Sequence, residues 1–269
     1  MRERQASDGV ARPARKSQAV RLSKLNTVEL SRVVDRGAVA LWPIGATEAH
    51  GPHLPLGTDS VIAEATCERA LVGIQAATGC GVVIVPVLSF GIADYARSFR
   101  GTVSIPAEVQ ESYVVEVLIS LSQQGFRAIA MVNGHVEPAH RYVLRGAVRR
   151  AKERARCPIG IVDPADRRFA AGLGEEFASG SCHAGRYESS IVLAADAEGV
   201  DEAVRRELPR LEVDLLGGAK LGQLTFEALG VARAYCGDPA AASPEEGEEL
   251  LGRLAANVVT VVRELLESG

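Results

Sequence analysis

Side chains that can bind metal ions or transfer protons are concentrated in one short loop-like segment. Glu48, His50, His53 and Asp59 lie within residues 48–59, which are interrupted by glycine and proline. Imidazole nitrogen and carboxylate oxygen are the ligands that zinc and manganese take in catalytic sites. In extended backbone, residues two apart point to the same side, so Glu48 and His50 can face the same site. The segment therefore predicts part of a metal site, which Asp59 joins if the loop folds back.

All five histidines of the chain lie in three short segments, and each segment also contains a carboxylate. The second segment holds His135, Glu137 and His140, and the third holds His183 and Glu188. The first two segments directly follow strand-like runs, and the carboxyl ends of parallel strands meet at one edge of a sheet. We therefore expect the three segments to converge on one site. A metal-free, hydrogen-bonded loop is the alternative.

Several of these side chains have a second explanation. His53 is expected to hold the loop by a hydrogen bond, and His140 to orient a ligand or cap a helix. Glu137 could instead interact favourably with a helix dipole. Cys182, beside His183, is a candidate nucleophile, but a small packing residue is the expected role because nothing in the sequence indicates thiolate activation.

Alternating helix-like and strand-like runs indicate how these segments are positioned. Strands are expected over residues 38–43, 81–87, 128–132 and 159–162, with helices over residues 27–35, 60–77, 106–124, 138–156 and 244–268. Ser243 is expected to cap the last helix. Short apolar strands alternating with helices predict an α/β fold, with a mainly parallel sheet covered on both faces.

Length and composition indicate one globular domain. The 269 residues are 47% hydrophobic and 24% charged, and nothing resembles a linker. We expect a disordered basic arm over residues 1–22 and a single domain over residues 23–269. The net charge of −4 gives no support for a nucleic-acid partner, and apolar runs are too short for a membrane span or secretory signal. Five scattered cysteines indicate reduced thiols and a cytoplasmic location.

Three segments together resemble a known family. They are residues 43–59, 133–135 and 183–190, with weaker similarity at residues 99–104 and 237–239. In this order, over most of the chain, they resemble the creatininase (creatinine amidohydrolase) family of metal-dependent amide hydrolases. The resemblance implies a three-layer α/β/α sandwich and a homo-oligomer, with a hexamer favoured.

The resemblance also implies two divalent metal ions per chain, zinc or manganese, with iron possible. Glu48 and His135 would hold one ion, His50 and Glu137 would hold the other, and Asp59 would bridge them. A His135-Val136-Glu137 sequence, as in creatininases proper, favours a complete site for two ions.

The remaining site residues follow from the same resemblance. His183 would be the acid/base near the metal ligands, and Glu188 would face the same pocket as a ligand or an orienting group. Tyr187, Arg100 and Arg186 are candidates for substrate binding. Both arginines depart from the family's pattern and would suit an anionic substrate, although surface arginines are usually only solvated.

These observations predict a metal-dependent amidohydrolase in which a metal-activated water cleaves a non-peptide C–N bond of a small cyclic or linear amide. Creatinine is not the expected substrate, because Trp42 is the only tryptophan and the tryptophans that close over creatinine have no counterpart. A specialised amide, such as a peptide-derived precursor or a formamide, is expected instead. The alternative is a non-catalytic metal-binding or scaffold protein that retained the fold.

Overall fold

The computed structural model describes residues 20–213, 215 and 225–269. Its sheet is formed by β1 (Val20–Arg21), β2 (Val39–Ile44), β3 (Val82–Ile84), β4 (Ile129–Asn133) and β5 (Ile159–Val162). The strand order is β1-β3-β2-β4-β5, and every pairing is parallel. The predicted parallel sheet is confirmed. Most of the predicted basic arm lies outside the described residues, but its last part differs from the prediction, because Val20 and Arg21 pair with β3.

Helices cover both faces of this sheet. The α-helices of the described residues are α1 (Thr27–Val34), α2 (Thr58–Thr78), α3 (Ala107–Ser122), α4 (Pro138–Lys152), α5 (Arg167–Ala170), α6 (Glu175–Ser179), α7 (Arg186–Ala195), α8 (Glu202–Glu207) and α9 (Pro244–Ser268). The long helices agree with the prediction, and the Ser243 hydroxyl caps α9 by accepting from the Glu246 amide at 3.2 Å. No helix in the described ranges is long and apolar enough to cross a membrane.

The side chains of β2 show how the three layers form. Successive side chains of a strand point to opposite faces, so Trp42 packs with Leu118 of α3 on one face. Leu41 packs with Val258 of α9 on the other face. Every residue of β2 is buried. The result is the predicted three-layer α/β/α sandwich, with Trp42 inside it.

Two glycines allow the loops at the carboxyl edge of the sheet to approach α2 closely. A Cβ at Gly134, just after β4, would lie 2.3 Å from the carbonyl oxygen of Asp59 in α2. A Cβ at Gly45, just after β2, would lie 2.6 Å from the Ser60 amide nitrogen. Only glycine fits such backbone contacts. The first turn of α2 is therefore held against the ends of both central strands.

We expect Gly134→Ala to lower the free energy of unfolding by at least about 2 kcal/mol, because the added methyl overlaps backbone that cannot rotate away. Urea denaturation measures the change. Gly252→Ala is the matched control, since Gly252 is an exposed α9 residue with open space around its Cα. That substitution should raise stability by about 0.5–1 kcal/mol. Equal stability of the Gly134→Ala and wild-type proteins would contradict the packing argument.

Candidate active site and metal centre

Three carboxylates and two histidines meet in the interior beyond the carboxyl ends of β2 and β4. Glu48 and His50 follow β2, Asp59 lies in the first turn of α2, His135 follows β4, and Glu188 belongs to α7. All five side chains are at most 4% exposed. The three segments expected from the sequence to converge are thus brought together, and we call these five residues the ligand cluster.

The Asp59 carboxylate is shared between two groups of potential ligands. His50 Nε2 lies 3.3 Å from Asp59 Oδ1 and 3.6 Å from Glu188 Oε2. His135 Nδ1 lies 3.1 Å from Asp59 Oδ2 and 3.2 Å from Glu48 Oε1. Within each group the ligand atoms lie within 4.8 Å of one another. Each group can therefore surround one ion, with Asp59 between them.

Unpaired buried atoms show that the ligand cluster fits metal ions. His50 Nε2 and Asp59 Oδ2 are buried without a hydrogen-bond partner in the described part of the chain. His50 Nδ1 lies 3.1 Å from the Glu48 carbonyl oxygen, to which it can donate, so Nε2 can present its lone pair to an ion. An unpaired buried polar atom costs about 1–3 kcal/mol. A divalent cation would satisfy both atoms, and the nitrogen and oxygen donors suit zinc or manganese.

The electrostatics of the ligand cluster favour positive charge. Burial opposes protonation of His50, but Asp59 and Glu188 raise the pKa of His50 to about 10. Despite its burial, Glu48 and Asp59 raise the pKa of His135 well above its usual value. Burial, together with the like charges of Asp59 and Glu48, raises the pKa of Glu188 to about 8. The carboxylates therefore attract cations to the positions between them.

A chain of buried hydrogen bonds fixes the ring of His135. His135 Nε2 donates to the Ile92 carbonyl at 2.9 Å, which leaves Nδ1 facing Asp59. Gln110 of α3 accepts from the Ile92 amide at 3.0 Å and donates to His140 Nδ1 at 2.9 Å. His140 Nε2 then lies 3.2 Å from Asn133 Oδ1, and Asn133 donates to the His135 carbonyl at 2.6 Å. His140 therefore supports a ligand, which is the orienting role expected for it.

The sequence reasoning missed Gln110, although a signal for it existed. Gln110 lies on the stripe of α3 that also carries Val114 and Leu118, spaced by four residues, and all three are buried. A glutamine among apolar residues on the inward face of a helix must find hydrogen-bond partners. Its partners come from two other segments, so the sequence alone does not reveal them.

A cavity of about 110 Å³ lies beside the ligand cluster, and Glu137 is one of its lining residues. Glu137 Oε2 accepts from the Tyr95 amide at 3.2 Å and lies 4.0 Å from His135 Nε2. Burial raises the pKa of Glu137 to about 7. Among the described residues, Glu188 rather than Glu137 completes the group around His50, which differs from the pairing that the resemblance implies.

His183 also lines the cavity, with its ring held in one orientation. Its Nε2 lies 2.9 Å from the Ala49 carbonyl, to which it can donate, and its Nδ1 lies 3.8 Å from Glu48 Oε1. Burial, together with the nearby His50, lowers the pKa of His183 to about 4. The next residue, Ala184, is buried with φ of 50°, and its amide donates to Glu188 at 2.6 Å. Backbone strain of this kind concentrates at functional sites.

The surroundings of His53 and Cys182 agree with structural roles for both residues. His53 Nε2 is hydrogen-bonded to the Ser189 hydroxyl at 2.9 Å, which ties the loop after β2 to α7. Cys182 is buried, and burial raises the pKa of its thiol well above the usual value. A thiol that resists ionisation is a poor nucleophile.

The three candidates for substrate binding lie elsewhere. Arg186 donates to Glu246 at 2.6 Å and lines a separate cavity of about 680 Å³ together with Tyr187. Tyr187 is buried against Phe177, with ring centroids 4.6 Å apart. Arg100 is exposed and lines neither of these cavities in the described part of the chain. The arginine that does line the cavity beside the ligand cluster is Arg141.

Comparison with known proteins identifies the family to which this chain is similar. A family model described as creatininase, creatinine amidohydrolase, matches residues 23–262. The mycofactocin precursor peptide peptidase of Mycobacterium ulcerans (strain Agy99) is 30% identical over 244 residues, covering 89% of this chain and 90% of that protein. The creatinine amidohydrolase of Pseudomonas putida is 29% identical over 112 residues, covering 40% and 41%. A solved structure described as creatininase with Mn has a similar fold, with a TM-score of 0.71, 21% identity and coverage of 92% and 98%.

We expect Gln110→Leu to weaken metal binding about 10–100-fold, because His140 loses a hydrogen bond and so does the Ile92 backbone, whose carbonyl orients His135. Titration of chelator-treated protein with zinc, monitored by competition with a metal indicator, measures the affinity. Gln75→Leu is the control, since it makes the same substitution on the exposed surface of α2. A folded Gln110→Leu protein with wild-type zinc affinity would show that this network does not position His135.

Proposed function

The chain belongs to the creatininase (creatinine amidohydrolase) family, and we propose that it is a metal-dependent amidohydrolase that cleaves a C–N bond of an amide substrate. The observation that carries this proposal is the ligand cluster, in which Asp59 is shared between two buried groups. Two of its atoms have no hydrogen-bond partner in the described structure. The relatives named as hydrolases support the same reaction class.

The ligand geometry supports two divalent ions per chain, zinc or manganese, with iron as an alternative. Glu48, Asp59 and His135 would hold one ion, and His50, Asp59 and Glu188 would hold the other. This assignment replaces Glu137 by Glu188 in the second group. When bound, the ions supply Lewis acidity for the substrate carbonyl and lower the pKa of a water molecule.

The protein's own groups move the proton that amide hydrolysis requires. Water forms a bond to the carbonyl carbon, the C–N bond breaks, and one proton must reach the departing nitrogen. The Glu137 carboxylate lines the cavity, and its raised pKa, about 7, suits it to accept a proton from water and release it. His183 Nδ1, held toward the ligand cluster by the Nε2 contact with Ala49, would carry the proton to the nitrogen.

A peptide-derived amide is the substrate class that we propose. The mycofactocin precursor peptide peptidase aligns over about nine-tenths of both chains, whereas the match to creatinine amidohydrolase covers 40% of this one. Trp42 is buried between the sheet and α3 and donates to the Pro86 carbonyl, so it cannot close over a substrate. The proposed substrates therefore include peptide bonds, although the sequence predicted a non-peptide C–N bond. Creatinine is not among them.

We also propose that the protein is a homo-oligomer located in the cytoplasm. The family resemblance supports a homo-oligomer, with a hexamer favoured, which light scattering on the purified chain would test. All five cysteines are unpaired, which suits the reduced cytoplasm. Fractionation of the cells that produce the chain would test that location.

We expect chelator-treated protein to hydrolyse no member of a panel of short peptides, lactams, formamides and ureas. Restoring zinc or manganese should give turnover of at least one peptide, because the proposed reaction requires metal ions bound at the ligand cluster. Liquid chromatography with mass detection identifies the products. Absence of turnover with two ions bound per chain would favour the non-catalytic metal-binding scaffold.

Metal stoichiometry tests the assignment of the two acids. We expect close to two ions in the wild type and at most about one in Glu188→Gln, because a neutral amide is a weaker ligand than a carboxylate. Glu137→Gln and His183→Asn should keep both ions and lose about 10²–10⁴-fold in turnover, as for lost proton-transfer groups. Plasma emission spectrometry gives the metal content. Two ions in Glu188→Gln and one in Glu137→Gln would restore the pairing that the resemblance implies.

A further inference from the structure

Arg141 is the only arginine or lysine among the described residues that line the cavity beside the ligand cluster. Three acidic side chains, Glu48, Glu137 and Glu188, line the same cavity. We propose that Arg141 binds a carboxylate group of the substrate and so selects amides that carry one close to the scissile bond. This inference rests on the proposed amide hydrolysis and specifies its substrate class.

The Arg141 guanidinium is held from one side only. Its Nε donates to the two carboxylate oxygens of Asp163, at 3.0 and 2.9 Å. Asp163 follows β5 and is buried, and it also accepts from Arg145 Nη2 at 2.8 Å and from the Ala165 amide at 3.1 Å. Neither terminal nitrogen of Arg141 makes a hydrogen bond within the described residues. Those two groups remain as donors in a fixed orientation, which is the fork that binds a carboxylate.

The charge balance of the cavity gives this arginine a function beyond its ion pair. A substrate carboxylate in this cavity lies among acidic side chains, and an arginine that is already fixed in place favours its binding there. The Arg141 side chain is 17% exposed, so its charge is less screened than that of a surface arginine. It can therefore attract a substrate carboxylate to its side of the cavity.

The size of the cavity limits where the carboxylate can lie. Its volume of about 110 Å³ is small beside the roughly 300–1,000 Å³ of pockets that enclose drug-sized ligands. The group bound by Arg141 and the amide at the ligand cluster must then belong to one small part of the substrate. The C-terminal residue of a peptide has this arrangement of amide and carboxylate.

Binding of two matched probes to zinc-loaded protein tests the inference without requiring turnover. N-acetylglycine carries a carboxylate, and N-acetylglycinamide replaces it with a neutral amide of similar shape. We expect calorimetry to show the acid binding at least about tenfold more tightly, as for a hydrogen bond to a charged group. Arg141→Met should abolish that preference, because the remaining groups distinguish the two probes weakly.

Arg145→Met is the matched control. Arg145 donates to the same Asp163 carboxylate but is 43% exposed and does not line the cavity, so its loss should leave the preference for the acid unchanged. Arg141→Met should still fold, since Asp163 keeps the Arg145 and Ala165 donors. If Arg141→Met does not fold, Arg141→Lys can replace it, because lysine keeps the positive charge but lacks the two terminal nitrogens of the guanidinium. We expect its preference for the acid to be weaker than that of the wild type but still measurable.

Three outcomes would overturn the inference. The acid could bind equally well to wild type and Arg141→Met, which would place its carboxylate on the metal ions. Wild type could bind the two probes alike or bind neither. Arg141→Lys could show the same preference for the acid as wild type, which would mean that the two terminal guanidinium nitrogens do not recognise the carboxylate. None of these results depends on hydrolysis, so a failure of the proposed reaction in the substrate panel is a separate finding.

Discussion

The two oxygens of the Asp59 carboxylate face two different imidazoles, and the rest of the site is arranged around this contact. Oδ1 lies 3.3 Å from His50 and Oδ2 lies 3.1 Å from His135. Asp59 is 1% exposed, so water cannot stabilise its charge. The two imidazoles hold the pKa of Asp59 well below its usual value, despite its burial. A buried aspartate that stays charged requires positive charge on both sides, and protons or metal ions can supply it.

The fold brings these groups together by placing backbone against backbone. β2 and β4 are adjacent central strands, so the segments that carry His50 and His135 leave the sheet side by side. Glycines 45 and 134 then let the first turn of α2 approach both strand ends. The backbone contacts of these two glycines therefore place Asp59 between the ends of the two strands.

The sequence predicts those parts of the site that lie at the ends of strands. It does not predict contacts between residues that are far apart in the sequence. His50, Asp59 and His135 converge as expected because each lies next to an element that sequence patterns identify. The resemblance pairs Glu137 with His50, whereas in the structure Glu137 directly precedes α4 and its carboxylate accepts from the Tyr95 amide. Glu188 instead reaches His50, because α7 packs there. The partner of Arg186 is Glu246, which is 60 residues away, so the sequence does not reveal this ion pair either.

The residue proposed to select the substrate, Arg141, and the residue proposed to accept the proton, Glu137, lie in the same turn at the start of α4. Arg141 lies one turn after Glu137, and its amide donates to the Glu137 carbonyl at 3.1 Å. The same turn contains His140, which is bound to Gln110 on α3, while Asp163 holds Arg141 from the end of β5. A shift of α4 would therefore move the anion-binding group, the proton acceptor and the support of His135 together. A substrate carboxylate bound at Arg141 would stabilise this turn in the position that proton transfer needs, so binding energy at the carboxylate can contribute to the rate as well as to affinity.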